Sequence, residues 1–134
     1  MPFPVELKWV HHTEAKLGVK FPAAFVTAMV AMNGGSVETS MDQFELYPFF
    51  DGSDRKRIQR TCSSIDRETG NARLNLFEFP DNAVVIGHDG GGNLLILLTM
   101  KDSPGRLQHT IYSWDHETSE IDQVANDFDD LKKS

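Results

Sequence analysis

The feature that most constrains the fold of this chain is a pair of short apolar runs separated by a glycine-rich turn. The runs Val84–Gly87 and Asn93–Met100 flank His88-Asp89-Gly90-Gly91-Gly92, a spacing that predicts a tight antiparallel hairpin. Leu94–Leu98 is apolar throughout, so neither face of this segment can be left in water. The pattern therefore predicts a central strand that is covered on both faces.

Two helices are predicted ahead of this hairpin. The first spans about Val5–Leu17, and Gly18 can end it in the left-handed conformation that glycine tolerates. The second spans about Pro22–Met32, where proline suits the first turn because it has no N–H to leave unpaired. Asn33-Gly34-Gly35 then stops it.

The region between the second helix and the hairpin gives weaker signals. Alternation around Phe44 and Leu46 indicates a strand. The polar stretch Asp51–Asn75 can open with a short helix at Arg55–Arg60, and Gly70-Asn71 is typical of a helix stop.

The C-terminal part of the chain predicts a strand followed by a helix. His109–Trp114 has strand character, and Ser119 is a suitable N-cap with Asp122 as its capping-box partner. Five apolar residues then recur at helical spacing: Ile121, Val124, Ala125, Phe128 and Leu131. The predicted fold class is α+β, a mostly antiparallel sheet with helices before and after it, in a single domain spanning residues 1–134.

The net charge of −7 is concentrated in one segment. Seven acidic residues and no Lys or Arg lie between positions 115 and 130: Asp115, Glu117, Glu120, Asp122, Asp127, Asp129 and Asp130. The acidic residues elsewhere are equal in number to the 13 Lys and Arg of the whole chain. Direct nucleic-acid binding requires a basic surface, so this distribution argues against it and favours a basic protein partner.

The six residues we select as candidate partner contacts come from this segment: Asp115, Glu117, Glu120, Asp127, Asp129 and Asp130. A solvated helix face is the competing interpretation. On the predicted helix, however, the last three of them oppose the helix dipole at about 0.3–1 kcal/mol each. Residues that reduce local stability in this way suggest another use.

Catalytic, metal and cofactor sites are not predicted. The glycines at 90–92 lack the GK[ST] ending of a phosphate-binding loop, and no HExxH pattern occurs. Cys62 is the only cysteine, so it has no intrachain disulfide partner, and it lacks the local signature of a nucleophile. We expect a non-catalytic, cytoplasmic protein without a cofactor or a membrane segment, since the start lacks a signal-peptide pattern.

Several motifs resemble the SUKH superfamily in order and spacing. They are Glu14-x-x-Leu17-Gly18, Phe21-Pro22-x-x-Phe25, Asn33-Gly34-Gly35, Val85–Asn93, Ile111–Glu117 and Ala125–Leu131. Phe21 departs from the usual aliphatic residue before proline, and Asn93 stands where aspartate often follows the glycines.

The resemblance implies an α+β fold and a role as an immunity protein that neutralises a cognate bacterial toxin by direct binding. A regulatory scaffold that binds an endogenous cytoplasmic protein is the alternative, because some relatives have that role. A small hydrolase is a remote third possibility. The basic stretch Arg55–Arg60 is a second candidate contact surface.

Overall fold

The computed structural model describes residues 2–40 and 42–133, which form helices packed on one antiparallel sheet. The helices are α1 (Leu7–Leu17), α2 (Ala23–Ala31), α3 (Arg55–Arg60) and α4 (Ile65–Asn75). The strands are β1 (Ser36–Glu38), β2 (Gln43–Leu46), β3 (Ala83–His88), β4 (Leu94–Leu98), β5 (Ile111–Trp114), β6 (Ile121–Ala125) and β7 (Lys132–Lys133). A single 3₁₀ turn, Phe128–Asp130, precedes β7.

The sheet has the strand order β6-β5-β4-β3-β2-β1-β7, and neighbouring strands are antiparallel. Four of the five residues of β4 are buried, which confirms the prediction of a central strand covered on both faces. One face packs in a large core with α1 and α2. The other packs in a smaller cluster that contains Ala72 of α4, Phe79 and Trp114. The α+β class and the mostly antiparallel sheet are confirmed.

The short connection from β6 to β7 shows that the sheet is curled. Seven strands in a flat sheet would hold the two edge strands roughly 29 Å apart. The seven residue steps from Ala125 to Lys132 can span at most about 25 Å, and the 3₁₀ turn shortens that reach. The two edges must therefore approach each other. Phe128, in this connection, is buried with its ring 5.1 Å from that of Phe25.

Helix α4 covers the part of β3 that β2 leaves unpaired. β2 pairs with β3 only at Gly87 and His88. In the part of β3 that β2 does not pair with, the Val85 N–H donates to Thr69 Oγ1 at 3.0 Å, and Arg73 Nη2 donates to the carbonyl of Ala83 at 3.1 Å. Helix α4 thus protects an exposed strand edge.

The predicted helix stop at Gly70-Asn71 is wrong, because α4 continues through both residues. Ile65, Thr69 and Ala72 are buried at helical spacing on either side of Gly70. That burial and the hydrogen bonds to β3 outweigh the roughly 1 kcal/mol that glycine costs inside a helix.

The predicted C-terminal helix is also wrong. Residues Ile121–Ala125 form β6, which pairs with β5, and Asp122 lies on this strand instead of in a capping box. Ser119 has a positive φ of 61° in the turn before it. Without β6, the outer edge of β5 would present unpaired backbone groups, so strand pairing overrides the helical spacing of the apolar residues.

Two polar motif residues hold the helices to the rest of the fold. The buried Asn33 amide donates from Nδ2 to the Phe49 carbonyl at 2.9 Å, and its Oδ1 accepts from the Phe49 N–H at 2.8 Å. Glu14 Oε2 accepts from the Phe21 N–H at 2.8 Å, which links α1 to the start of α2. The motifs that carry the sequence resemblance therefore have structural functions.

Candidate functional site

Three hairpin turns meet at one end of the sheet. The first six strands form three antiparallel pairs that are consecutive in the chain: β1–β2, β3–β4 and β5–β6. These six strands are also next to one another in the sheet, in the same order. Since neighbouring strands alternate in direction, the three connecting turns lie at the same end. We call this region, together with the first residues of β6, the hairpin end.

The hairpin end is acidic. Its carboxylates belong to Asp42, Asp89, Asp115, Glu117, Glu120 and Asp122. Four of the six line a depression of about 150 Å³, namely Asp42, Asp89, Asp115 and Asp122. The rest of its lining consists of Phe44, Asn93, Ser113 and Trp114. No Lys or Arg occurs at positions 21–54, 74–100 or 107–131, so none of the three hairpins contains a basic residue that could offset this charge.

Hydrogen bonds fix two of these turns against each other. Asn93 Oδ1 lies 3.2 Å from the His116 backbone nitrogen, which donates to it, and 2.8 Å from His116 Nδ1. Gly92 allows this contact, because a Cβ at that position would lie 2.9 Å from the His116 ring. An aspartate at position 93 would also offer an acceptor oxygen to the His116 backbone N–H. Asparagine at this position therefore preserves that hydrogen bond.

The turn aspartates are also held in place by backbone donors. Asp89 Oδ1 accepts from the N–H groups of Gly91 and Asn93 at 2.8 and 3.1 Å. Asp115 Oδ1 accepts from the Glu117 N–H at 2.8 Å. These bonds hold negative charge at defined positions on the two turns.

The structure divides the six sequence-predicted contact residues into two groups. Asp115, Glu117 and Glu120 lie in the β5–β6 turn. The other three, Asp127, Asp129 and Asp130, follow β6, so the five residues of that strand lie between the two groups along the chain. The structure adds carboxylates that the sequence reasoning did not select: Asp42, Asp89 and Asp122. Only the pairing of strands distant in sequence brings them together.

The helix-dipole argument for Asp127, Asp129 and Asp130 is wrong, because these residues do not end a helix. Asp127 precedes the 3₁₀ turn, and its N–H donates to Asp130 Oδ2 at 3.2 Å. Negative charge is favourable at the start of a helical turn, so Asp127 and Asp130 have a local structural use. Their contact with a partner stays a prediction.

Within 2–40 and 42–133, no group of three or more His, Cys, Asp or Glu side chains is placed to hold a metal ion. None of the helices described there is long and apolar enough to cross a membrane. Cys62 is exposed on the surface.

The comparisons with known proteins agree with the sequence motifs. A model of the SMI1 / KNR4 family (SUKH-1) matches residues 4–134. No curated protein and no solved structure matches the chain. The family match covers nearly the entire sequence and includes every motif on which the resemblance was based. The chain therefore belongs to the SMI1 / KNR4 family (SUKH-1), whose members are generally non-catalytic immunity or regulatory proteins.

Proposed function

We propose that this protein is a cytoplasmic immunity protein that neutralises a cognate bacterial toxin by direct, non-catalytic binding. In this proposal, a basic domain of the toxin docks on the hairpin end. The observation that carries the proposal is the group of six carboxylates in three hairpins that contain no Lys or Arg. Family membership supports the immunity role.

The charge of the hairpin end would act mainly on the rate of association. A surface of one sign attracts a partner of opposite sign over distances up to about the Debye length, roughly 10 Å at 0.1 M salt. Such steering raises association rates and declines as salt is added. A toxin must be captured before it damages the cell, so a fast rate suits an immunity protein.

The hairpin end fits this role better than Asp127, Asp129 and Asp130. Glu120 and Asp122 are exposed, and their side chains have no hydrogen bond or ion pair with any described residue. Asp127 and Asp130, in contrast, are joined by the hydrogen bond that starts the 3₁₀ turn. Removing the charges of Glu120 and Asp122 therefore changes the surface with little effect on the fold.

The test compares two triple variants with the same change in net charge. The site variant carries Glu117→Gln, Glu120→Gln and Asp122→Asn at the hairpin end. The control variant carries Glu6→Gln, Asp81→Asn and Asp102→Asn, which neutralise exposed acids outside the three hairpin turns. Each tagged protein is used in a pull-down from the native host at low and high salt, and the association rate with the recovered protein is then measured.

We expect wild type and the control variant to recover a basic toxin domain at low salt and to lose it at high salt. The site variant should associate at least about tenfold more slowly at low salt. Equal rates for both variants would refute docking at the hairpin end. Recovery of a salt-insensitive cellular protein, with no toxin, would instead favour the regulatory scaffold.

A further inference from the structure

A groove beside the first two helices has no part in the function proposed above. It is lined by residues of α1, of α2, of the segment that joins these helices, and of the loop from Met100 to His109. Its volume is about 520 Å³, within the range of roughly 300–1,000 Å³ that is typical of sites for small organic molecules. The groove shares no lining residue with the depression at the hairpin end, so it is a separate candidate site.

Part of the lining is apolar surface that the protein leaves exposed. Val10, Phe21 and Leu107 line the groove and belong to the buried core. Leu7 and Met100 also line it, but they are 49% and 37% exposed. Removing apolar surface from water is favourable by roughly 25 cal/mol per Å². A ligand with an apolar body would therefore gain free energy by covering these two side chains.

Two cations lie side by side at this groove. Lys20 and Arg106 are opposite each other in an isolated parallel bridge, and both line the groove. Two backbone hydrogen bonds fix the bridge: the Lys20 N–H donates to the Gly105 carbonyl at 2.8 Å, and the Leu107 N–H donates to the Lys20 carbonyl at 3.0 Å. Because neighbouring strands are roughly 5 Å apart, the backbone holds these two side chains within reach of the same ligand.

The protein does not compensate this pair of charges. Neither the Lys20 nor the Arg106 side chain forms an ion pair or a hydrogen bond within the described part of the chain. Glu14 is the one acid among the described residues that line the groove, and its Oε2 already accepts from the Phe21 N–H at 2.8 Å. Like charges on opposite residues destabilise strand pairing. Two cations and one carboxylate leave one positive charge in excess on the lining, which a bound monoanion would balance.

We propose that this groove binds a small organic carboxylate with an apolar body. The carboxylate supplies the single negative charge that the lining lacks. Its two oxygens accept from the guanidinium group of Arg106, which suits a planar carboxylate, and from the ammonium group of Lys20. The apolar body covers Leu7 and Met100. A phosphate monoester fits less well, because its charge of about −1.5 to −2 at pH 7 exceeds the positive charge available.

The test is an NMR titration of the full chain with phenylacetate and octanoate. Three control ligands separate the parts of the proposal: phenylacetamide has the apolar body without the charge, acetate has the charge without the body, and phenyl phosphate has a different anion. Phenylacetate or octanoate should shift the backbone amides of Lys20, Val26 and Arg106. Absence of a shift with both would overturn the proposal. Equal affinity for phenylacetamide, acetate or phenyl phosphate would overturn, in turn, the role of the cations, of the apolar surface and of the carboxylate.

Two double variants with equal changes in net charge distinguish this site from general attraction. Lys20→Gln with Arg106→Gln removes both cations of the groove, and the fold tolerates the changes because both side chains are exposed. Arg67→Gln with Lys101→Gln removes two exposed cations that do not line the groove. The first variant should weaken binding at least about tenfold, and the second less than about twofold. Equal losses would refute the site. Both variants retain every residue of the hairpin end, so the two proposals can fail independently.

Discussion

At the scale of single residues, Asn33 shows why a motif can identify a family without identifying a partner. Its amide satisfies both backbone groups of Phe49, 16 positions away, inside the protein. Asn33 can make these two bonds at once because its side chain has both a donor and an acceptor. A residue with this role is required by the fold, whatever the protein binds.

Replacing Asn33 with alanine should lower the free energy of unfolding by about 2–4 kcal/mol, since it leaves a buried N–H and a buried carbonyl unpaired. Urea unfolding measures the change. Asn82→Ala is the matched control, because Asn82 is exposed and its side chain has no bond to a described residue. The control should stay within about 0.5 kcal/mol of wild type. A similar effect of both substitutions would contradict the structural role of Asn33.

Tyr47 provides a prediction about pH. Partial burial, with a smaller contribution from the charge of Glu68, raises the pKa of its phenol from 10.0 to about 12. Because the folded state favours the neutral phenol, its contribution to stability is complete below pH 10 and is lost as the pH rises towards 12. Tyr47→Phe should therefore reduce the fall in stability over this range.

The chain has two tyrosines, which makes this titration simple to follow. In a Tyr112→Phe variant, the ultraviolet absorbance change of tyrosinate reports Tyr47 alone and should have its midpoint near pH 12. A midpoint near pH 10 in the folded variant would show that burial does not protect the phenol.

At the scale of elements, the two incorrect predictions have the same cause. The spacing of apolar residues from Ile121 to Leu131 fits a helix, but the first part of this segment forms β6, which pairs with the backbone of β5. Gly70-Asn71 fits a helix stop, but α4 continues through it, and side chains of α4 form hydrogen bonds with the backbone of β3. In both cases, unpaired backbone groups of a distant strand decide the outcome.

Gly70 and Gly18 form a matched pair for testing the course of α4. A Cβ on either residue would have no atom within 4 Å, but Gly18 has a φ of 70° and Gly70 is helical. Gly70→Ala should therefore raise the unfolding free energy by about 0.5–1 kcal/mol, and Gly18→Ala should lower it by about 1 kcal/mol. Thermal or urea unfolding provides both values. Destabilisation by Gly70→Ala would mean that α4 does not continue through this position.

At the scale of the whole molecule, the segment between β6 and β7 joins the two edges of the sheet. β7 pairs with β1, and Phe128 fills the space next to Phe25 of α2. Few residues of this segment are in regular structure, but it determines how strongly the sheet curls. Its contribution to stability should therefore be large.

Phe128→Ala should lower the unfolding free energy by about 3–5 kcal/mol, because it removes a buried ring and leaves a cavity. Phe77→Ala is the matched control, since Phe77 is 83% exposed. That substitution should change stability by less than about 0.5 kcal/mol. Comparable losses in urea unfolding would contradict the anchoring role of Phe128.

The residue pattern along the chain predicted the features that depend on neighbouring residues: helices α1 and α2, the short helix α3, the hairpin of β3 and β4, the α+β class and the excess of acids near the C-terminus. Tertiary structure alone decided the course of α4, the strand β6 and the curl of the sheet. It also decided that Asp42 and Asp89 join Asp115 and Asp122 around one depression. The physical reason is that hydrogen bonds between strands and the cost of unpaired buried backbone act between residues far apart in sequence, where local periodicity carries no information.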